Sequence, residues 1–311
     1  MKIPPALIIT YNPPLAFKKH IAFFFEQFEK LLIVDNGSDF EAQYFFAEME
    51  QAYSNLEIIY NRENLGVATA LNQGFHWAIE QGYKEVVTFD QDSFPAAGMV
   101  AAYRNTQRKG AGQRPWAIIA PVIADSVVAV NARYLRSRQH IFFDRKACEG
   151  DDLLKNITMV ITAGALHDLS VYQTIGPFRE DFFIDYVDTE YCLRANQHGY
   201  KIVVACDAKI NHRLGEREKR SLLGRVHYPT FHSPLRWYYI SRNRIPMLKK
   251  YALRFPHWLF YEIIASTYTF LRMIVFEDQR LKKLLAIFLG TRDGLWGRMG
   301  RAGHKIQQKL S

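Results

Sequence analysis

The sequence predicts an α/β protein in which a mostly parallel central sheet is flanked by helices. Over about the first 120 residues, short β-branched runs alternate with segments of helical periodicity. Each apolar run stops at residues that favour turns, as at Asn12-Pro13-Pro14. Hydrophobic residues make up 49% and charged residues 23% of the chain, which is ordinary for a globular protein.

The elements follow one another in the order of β-α-β units. Strands are predicted at residues 6–11, 31–34, 56–60 and 85–89. Helices are predicted between and after them at residues 15–29, 40–53 and 66–81. In such units consecutive strands run parallel, because a helix carries the chain back between them.

The second half of the chain is less regular. Further strands are predicted at residues 116–122, 158–162, 201–205 and 209–212, with a helix at 185–198. Residues 126–149 are predicted to be an insertion or a hairpin. From about Pro234 the pattern is helical, aromatic and basic.

Charge is distributed unevenly along the chain. Residues 1–200 hold 18 Lys and Arg against 24 Asp and Glu, whereas residues 201–311 hold 22 against 7. Basic clusters attract phosphates of nucleic acid, anionic lipid or nucleotides. The two regions are therefore expected to serve different purposes.

Cysteines and apolar runs indicate a cytoplasmic protein. The three cysteines, Cys148, Cys192 and Cys206, have no disulfide-framework or metal-site spacing, so free thiols are expected. The first residues lack the pattern of a signal peptide. The longest apolar stretch, Ile263 to Leu271, falls short of the ~20 residues that span a bilayer.

Polar residues follow the first four predicted strands. They are Thr10-Tyr11-Asn12, Asp35-Asn36, Asn61 to Asn64, and Asp90-Gln91-Asp92. In parallel sheets ligands bind at the carboxyl ends of the strands, so these side chains are candidates for one site. Turns also favour Asn and Asp, which is the alternative explanation for each strand end taken alone.

Three of these positions suggest specific chemistry. Asp90 and Asp92 could share a divalent cation or divide it with a ribose hydroxyl. Asp35 could accept a hydrogen bond from a base or a ribose, or could simply form a turn. Gly66 could bring backbone N–H groups close to an anion, or could simply begin a helix. Neither a P-loop nor a GxGxxG motif follows the first strand.

An acidic segment precedes the helix predicted at 185–198. It contains Asp185, Asp188 and Glu190, which the helix dipole alone would favour. Asp185 and Asp188 are three apart and are predicted to share a helix face, where a carboxylate could act as a general base. His212 ends a predicted strand beside Arg213, so either a structural or a ligand role is open to it.

Together these motifs resemble those of GT-A fold glycosyltransferases of family 2, and more narrowly bacterial rhamnosyltransferases of O-antigen and capsule synthesis. Each motif is modest, but their order and spacing are specific. The resemblance runs from about residue 6 to residue 250, and more loosely through Gly290 to Gly300. The segments that carry it are Thr10-Tyr11-Asn12, Val34 to Ser38, Asn64 to Ala68, Asp90 to Ser93, Phe183 to Glu190, His212 to Gly215 and Arg236 to Asn243.

The resemblance implies a role for each matched residue. Thr10, Asn12 and Asp35 would hold the nucleoside, and Asp90 the ribose. Asp92 and His212 would bind Mg²⁺ or Mn²⁺ at the diphosphate, and Asp188 would be the catalytic base. Val187 stands where the family has Glu, so Asp185 or Glu190 could share the role of base. The other implied substrate-binding residues are Tyr11, Asn36, Asn64, Gly66, Gln91, Gly164, Asp185 and Arg213.

The expected function is inverting transfer of L-rhamnose from dTDP-rhamnose to a polyprenyl-diphosphate-linked glycan in cell-surface polysaccharide synthesis. Residues 1–215 would form the GT-A catalytic domain, and residues 216–311 a helical region for membrane-interface contact or dimerisation. The enzyme would lie on the inner face of the plasma membrane. Within the class, a UDP-hexose or UDP-galactofuranose donor is the alternative. Outside it, the alternatives are a nucleotidyltransferase and a nucleic-acid-binding protein, and the acidic front disfavours the latter.

Overall fold

The computed structural model describes residues 2–109, 115–125, 132–139, 141–150, 152–212, 220–222 and 225–310. The chain forms two compact units. The first comprises Met1–Arg136, Arg145–Glu180 and Asp188–His212. The second comprises Ser137–Asp144, Asp181–Val187 and Arg213–Ser311. Two short segments upstream of residue 215 therefore group with the C-terminal region.

The first unit is built on a nine-stranded sheet with the order β3-β2-β1-β4-β10-β6-β11-β5, and β9 pairs with β11 off this path. Its strands are β1 (Ala6–Thr10), β2 (Leu31–Asp35), β3 (Leu56–Tyr60), β4 (Glu85–Asp90), β5 (Ser93–Pro95), β6 (Trp116–Asp125), β9 (Leu153–Leu154), β10 (Leu166–Asp168) and β11 (Lys201–His212). Its helices are α1 (Phe17–Phe25), α2 (Phe40–Ala52), α3 (Val67–Glu80), α4 (Met99–Lys109), α5 (Leu169–Ile175) and α6 (Val187–Gln197).

The N-terminal half of this sheet is parallel, as predicted. β1 pairs in parallel with β2 and β4, and β2 pairs in parallel with β3. All residues of β2 are buried, which is typical of a strand covered by helices on both faces. Gly74 of α3 lies against the side chain of Leu7, so α3 packs directly on β1.

The other half of the sheet is mixed. β10 runs antiparallel to both β4 and β6, while β11 runs parallel to β6 and antiparallel to β5. The strand predicted at residues 158–162 is wrong, because this stretch is not part of a strand and the paired strand begins at Leu166. Its backbone contact with the strand Tyr134–Gln139 is the hydrogen bond from the N–H of Thr158 to the carbonyl of Leu135 at 2.8 Å. The two strands predicted between residues 201 and 212 are one strand, β11, with a register shift between Val204 and Lys209.

The free-thiol expectation is wrong for two of the three cysteines. Cys148 and Cys206 form a disulfide across 58 residues of sequence. The sequence spacing of these cysteines does not indicate the bond, because strand pairing brings them together. Cys206 lies in the irregular part of β11, where its N–H donates to the carbonyl of Asp152. Cys192 is free and buried, and burial raises the pKa of its thiol.

The predicted insertion at residues 126–149 contains the strands β7 (Tyr134–Gln139) and β8 (Phe142–Lys146), which pair with each other. Residues 126–131 lie outside the described part of the chain.

The second unit is mainly helical. Its elements are β12 (Arg220–Leu222), β13 (Arg225–His227), α7 (Pro234–Tyr251), α8 (Pro256–Phe276), α9 (Arg280–Leu295) and α10 (His304–Leu310). Ser233 caps α7 by accepting from the N–H of Arg236, and Pro234 follows at the first helical position. Gly290 and Gly294 bring the backbone of α9 against that of α7.

Helix α8 is longer than the apolar run that the sequence showed. At 21 residues, it is long and apolar enough to cross a membrane by length and composition alone. The sequence predicted a shorter apolar segment because the uncharged run Ile263 to Leu271 ends at Glu262 on one side and at Arg272 on the other. Both charged residues lie inside the helix.

Candidate active site

The ends of β1 and β2 are joined by a buried carboxylate. Asp35 is fully buried and accepts from the Thr10 hydroxyl at 3.1 Å and from the N–H of Ser38 at 3.0 Å. It also accepts from the hydroxyl of Ser38. Asp35 therefore fixes the two strand ends relative to each other at the predicted nucleoside site.

Ser38 is a residue of this edge that the sequence placed in the motif Val34 to Ser38 without a role of its own. Its hydroxyl accepts from the N–H of Asn12 at 2.7 Å while it donates to Asp35. Asn12 has a positive φ of 45°, and its side-chain oxygen accepts from the N–H of Asp39 at 2.9 Å. Ser38 stands three residues after Asp35 and directly after a glycine, and this spacing is the signal that could have identified it.

A network of asparagines holds the neighbouring strand ends. The side chain of Asn36 donates to Asn64 at 3.1 Å and accepts from the N–H of Leu65 at 3.0 Å. Asn61, at the end of β3, donates to Asn36 at 3.2 Å. Asn64 also accepts from the N–H of Gly66 at 2.9 Å, immediately before α3 begins. These contacts bring the predicted residues Asn36, Asn64 and Gly66 together.

Gly37 makes the contact between these two loops possible. It has a φ of +79°, and a Cβ placed there would lie 2.5 Å from the backbone carbon of Glu63. Any side chain at this position would push the loops apart.

The Asp90-Gln91-Asp92 segment lies beside the end of β1. The N–H of Tyr11 donates to the side-chain oxygen of Gln91 at 2.8 Å. The hydroxyl of Ser93 accepts from the N–H of Asp90 at 2.9 Å, which fixes the turn. Asp90 is half-buried and Asp92 is exposed.

The backbones of Asp92 and His212 are brought together by strand pairing. β5 pairs antiparallel with the end of β11, with Ser93 opposite His212, and Asp92 directly precedes Ser93. The side chain of His212 and all of Arg213 lie outside the described residues, so the structure does not place those two predicted side chains.

This donor set fits a divalent cation in its chemistry. Carboxylate oxygens and imidazole nitrogen suit Mn²⁺, and carboxylate with phosphate oxygens suits Mg²⁺. Among the described side chains, no group of three or more His, Cys, Asp or Glu residues is arranged as a metal site. The remaining ligands would therefore have to come from a bound diphosphate and water.

Gly164 lies in a turn at the same edge, before β10 rather than after a strand. Its N–H donates to the carbonyl of Thr88 at 2.7 Å, and its carbonyl accepts from the Tyr103 hydroxyl at 2.5 Å. With a φ of +73°, and with Ile210 2.7 Å from a Cβ placed there, this position requires glycine.

Asp188 is the second residue of α6 and is half-buried. Later turns of this helix contact the segment that leads to Gly164: Asn196 donates to the carbonyl of Thr158 at 3.1 Å, and Cys192 lies 3.6 Å from the carbonyl of Val160. These two contacts place the middle and the end of α6 beside residues 158–160. Asp188 accepts a hydrogen bond from the N–H of Thr189 at 2.7 Å, and its role as the base stays a prediction.

Glu190 has a structural role within α6. It is fully buried and forms an ion pair with Arg194 at 2.9 Å. Arg194 in turn donates to backbone carbonyls at Ile175, Gly176 and Pro177. A carboxylate enclosed in this way is poorly placed to reach a substrate.

The prediction that Asp185 shares a helix face with Asp188 is wrong. Asp185 precedes α6 in a left-handed conformation, with a φ of 61°, so helical spacing does not apply to it. It belongs to the second unit, where it accepts from Arg236 at 3.1 Å. Burial raises the pKa of Asp185, and the nearby Arg236 guanidinium partly offsets that effect.

Comparison with known proteins gives one family match and one sequence relative over nearly the whole chain. Residues 6–111 match the family described as Glycosyl transferase family 2. The chain is 28% identical over 307 residues to dTDP-rhamnosyl transferase RfbF of Shigella flexneri, covering 95% of this chain and 96% of that protein.

Solved structures of similar fold are more distant in sequence. TarS 1–349 of S. aureus gives a TM-score of 0.58 at 12% identity, covering 96% of this chain and 82% of that one. GalNAc-T7, in a structure with UDP, GalNAc and Mn²⁺, gives 0.56 at 12% identity and covers 78% of this chain. The present chain spans only 47% of GalNAc-T7. These likenesses confirm the predicted fold: a central sheet flanked by helices, with further helices at the C-terminus.

Proposed function

We propose that this chain, a glycosyltransferase with its family 2 domain at residues 6–111, transfers L-rhamnose from dTDP-rhamnose to a hydroxyl of a lipid-linked oligosaccharide. The observation that carries the proposal is a pair of strand contacts: β4 runs parallel to β1, and the segment that follows β4, from Asp90 to Ser93, pairs with the end of β11 at His212. The relative named as a dTDP-rhamnosyl transferase supports the choice of donor.

The nucleotide is proposed to lie across the ends of β1, β2 and β4. Asp35, held by Thr10 and Ser38, would orient the loops that contact the nucleoside. Asn12, Tyr11 and Gln91 adjoin the same edge, and Asp90 would accept from the ribose hydroxyls. Asn36 and Asn64 would fix Gly66, whose following helix N-terminus favours phosphate oxygens.

Asp92 and His212 would hold Mg²⁺ or Mn²⁺ at the diphosphate. The cation, when bound, stabilises the negative charge of the departing nucleoside diphosphate. GalNAc-T7 has been solved with Mn²⁺, which supports divalent metal use in this fold. Asp92 is exposed and can therefore reach a bound ligand.

Asp188 is proposed to remove the proton of the acceptor hydroxyl. As that oxygen attacks the anomeric carbon, the bond from this carbon to the diphosphate oxygen breaks and its electron pair leaves with dTDP. A single displacement of this kind inverts the anomeric configuration. The transition state should have oxocarbenium character, as in glycoside hydrolysis. The Gly164 turn would lie near the sugar, and the substrate-binding roles of Asp185 and Arg213 stay predictions from the sequence.

A polyprenyl-diphosphate-linked acceptor would place the enzyme on the cytoplasmic face of the plasma membrane, in cell-surface polysaccharide synthesis. The excess of basic residues after residue 200 supports this location, because anionic headgroups attract cations.

The decisive experiment for the donor is a panel of nucleotide sugars. dTDP-rhamnose, UDP-glucose, UDP-galactose, UDP-galactofuranose and UDP-N-acetylglucosamine would each be tested with Mg²⁺ or Mn²⁺, with nucleoside diphosphate release as the readout. Release of dTDP that stops with a chelator and returns with added metal is the expected result. A preference for a UDP-sugar would replace the rhamnose proposal, and TarS, solved with UDP-GlcNAc, makes that arm informative. Release of pyrophosphate would indicate a nucleotidyltransferase.

The catalytic base is tested by Asp188→Asn. General-base assistance contributes about 10²- to 10⁴-fold to rate, so turnover should fall by at least about 10²-fold while dTDP affinity is retained. Steady-state kinetics and calorimetric titration with dTDP measure the two effects. Asp278→Asn, an exposed carboxylate in the second unit, is the matched control. Near-normal turnover of the Asp188 variant would remove this residue from the role.

A further inference from the structure

Helix α8 exposes an unusually apolar face. The exposed hydrophobic side chains of this helix are Phe260, Ile263, Ile264, Tyr268, Leu271 and Val275. At 3.6 residues per turn they fall within an arc of about 140°. The polar member of the exposed set is Thr267, and the arc contains no charged residue. A continuous face of this kind is characteristic of a site that meets another apolar phase.

The opposite side of α8 packs against the second unit and is held there by hydrogen bonds and an ion pair. Trp258 and Met273 are fully buried, and the carboxylate of Glu262 accepts from Arg244 at 2.9 Å and from Ser266 at 2.9 Å. The hydroxyl of Tyr186 donates to the same carboxylate. Crossing a bilayer would strip these partners from Glu262 or carry the ionic network into hydrocarbon, which is costly. The helix is therefore suited to lie along a membrane surface rather than to span it.

Helix α9 continues the pattern after a linker of three residues, 277–279. The exposed apolar residues of α9 and of its C-cap position are Leu281, Leu284, Leu285, Phe288, Leu295 and Trp296. They fall within about 120° of the helix circumference. Arg292 also lies on this arc, where it is paired with Asp293 at 2.8 Å. The buried side of α9 faces α7 through Gly290 and Gly294, so the exposed side has no partner within the described second unit.

The charges around these helices indicate which kind of partner contacts their exposed apolar faces. The exposed Lys and Arg residues within α9 and in the chain segments on either side of these two helices, α10 included, are Lys249, Lys250, Arg254, Arg280, Lys282, Arg298, Arg301, Lys305 and Lys309. Among described residues 228–310, Asp278 is the exposed carboxylate. In a twofold dimer the patch would meet itself, so basic residues would face basic residues with Asp278 as the available acid. An anionic lipid surface matches both the apolar faces and the positive charge.

We propose that the exposed faces of α8 and α9 insert into the interfacial region of an anionic bilayer, with the surrounding Lys and Arg residues contacting lipid phosphates. Aromatic side chains such as Phe288 and Trp296 suit the boundary between headgroups and acyl chains. This inference rests on the membrane location proposed above and names the surface that makes the contact. Its readout is lipid binding by the full-length protein without substrate, so a failure here leaves the proposed donor and acceptor untouched.

The test is flotation with vesicles of phosphatidylcholine alone or of equal phosphatidylcholine and phosphatidylglycerol. The full chain should float with the anionic vesicles, bind the neutral ones far less, and lose binding as salt rises. Leu281→Glu with Phe288→Glu should weaken partitioning by about tenfold or more, because two apolar side chains leave the interface and two negative charges enter it. Ile264→Glu with Leu271→Glu tests α8 in the same way.

The matched control is Phe40→Glu with Tyr44→Glu on α2. These side chains are 83% and 63% exposed, against 83% and 66% for Leu281 and Phe288, so the same change is made at equal exposure elsewhere. The control should float like the unaltered protein, and circular dichroism verifies folding of every variant. Equal flotation of the control and the α9 variant would overturn the proposal. The proposal would also be overturned if the unaltered protein did not float, and if light scattering showed a dimer that the α9 changes dissociate.

Discussion

At the scale of single residues, the loops that end β1 and β2 depend on side chains that hold other side chains. Asp35 is enclosed by Thr10 and Ser38, and Ser38 also receives the N–H of Asn12. Buried carboxylates with several donors are strongly fixed in position, since releasing one leaves an unpaired polar group. Such residues affect ligand binding through the geometry of the loops that they support.

Replacing Ser38 with Ala tests this arrangement. The change leaves the N–H of Asn12 and one Asp35 interaction without their partner, so we expect the free energy of unfolding to fall by about 1–3 kcal/mol. We also expect weaker dTDP binding, because the loop at Asn12 loses its anchor. Urea unfolding and calorimetric titration measure the two effects. Unchanged dTDP affinity at reduced stability would show that Ser38 supports the fold alone.

His167 gives a second prediction at this scale. It is fully buried on β10 beside Phe75 and Phe178, with one ring nitrogen 3.2 Å from the Thr88 hydroxyl. Burial lowers its pKa to about 3. The unfolded chain takes up this proton below about pH 6.5 while the folded chain does not.

The stability of the protein should therefore decrease as pH falls from about 6.5 towards 3, by up to about 1.4 kcal/mol per pH unit from this residue. His167→Gln, which cannot titrate, should show a shallower decrease in the same window. Urea midpoints measured in steps from neutral to mildly acidic pH provide the comparison. Parallel curves for the two proteins would exclude His167 as the cause.

At the scale of elements, the contact between α7 and α9 is a backbone contact. A Cβ at Gly290 would lie 2.3 Å from the carbonyl oxygen of Tyr238, and one at Gly294 would lie 2.4 Å from that of Arg242. The Tyr238 hydroxyl donates to Asp293 at 2.9 Å across the same contact and depends on this proximity.

Gly290→Ala or Gly294→Ala should lower the free energy of unfolding by roughly 1–3 kcal/mol, because the helices must separate. This loss occurs although Ala is the better helix former by about 1 kcal/mol. Gly303→Ala is the control, since the space around its Cβ position is open. The midpoints of thermal unfolding are compared for the three variants. Equal midpoints would contradict a close backbone approach of α7 and α9.

The sequence predicted some elements far better than others. β1 to β4 were found because each is a continuous apolar run that stops at turn residues. β10 was missed because Leu166–Asp168 is too short for a pattern, whereas residues 158–162 have strand-like composition but do not form a strand. Composition records local preference, and pairing depends on residues far away in the chain.

The candidate site was predicted to a similar degree. The acids and asparagines at strand ends were identified, because a parallel sheet gathers its carboxyl ends at one edge. The pairing of Ser93 with His212 could not be foreseen, because β5 has only three residues and its partner lies more than one hundred positions away. The same holds for Asp185, whose left-handed backbone no periodicity reveals.

At the scale of the whole molecule, one disulfide closes a large loop of the chain. The Cys148–Cys206 bond closes a loop spanning 58 residues, which includes Gly164 and Asp188. In the chain-entropy view, a loop of this length restricts the unfolded chain by about 4 kcal/mol.

Cys148→Ser should therefore unfold at lower urea concentration than the oxidised protein, by an amount equivalent to about 2–5 kcal/mol. A reducing agent should lower the stability of the unaltered chain and leave that of the variant unchanged. Cys192→Ser, at the free buried thiol, controls for the loss of a sulfur. A variant as stable as the oxidised protein would show that the bond contributes nothing to the fold.

The reversed direction of β10 has a consequence for how this architecture diversifies. Because β10 opposes β4 and β6, the chain arrives at the Gly164 turn from a separate excursion through residues 126–157. The described strands of that excursion pair with each other or with β11, and not with β1, β2 or β3. Under the proposed function, variation in acceptor recognition belongs to this half of the sheet, while the half that holds the nucleotide can be inherited unaltered.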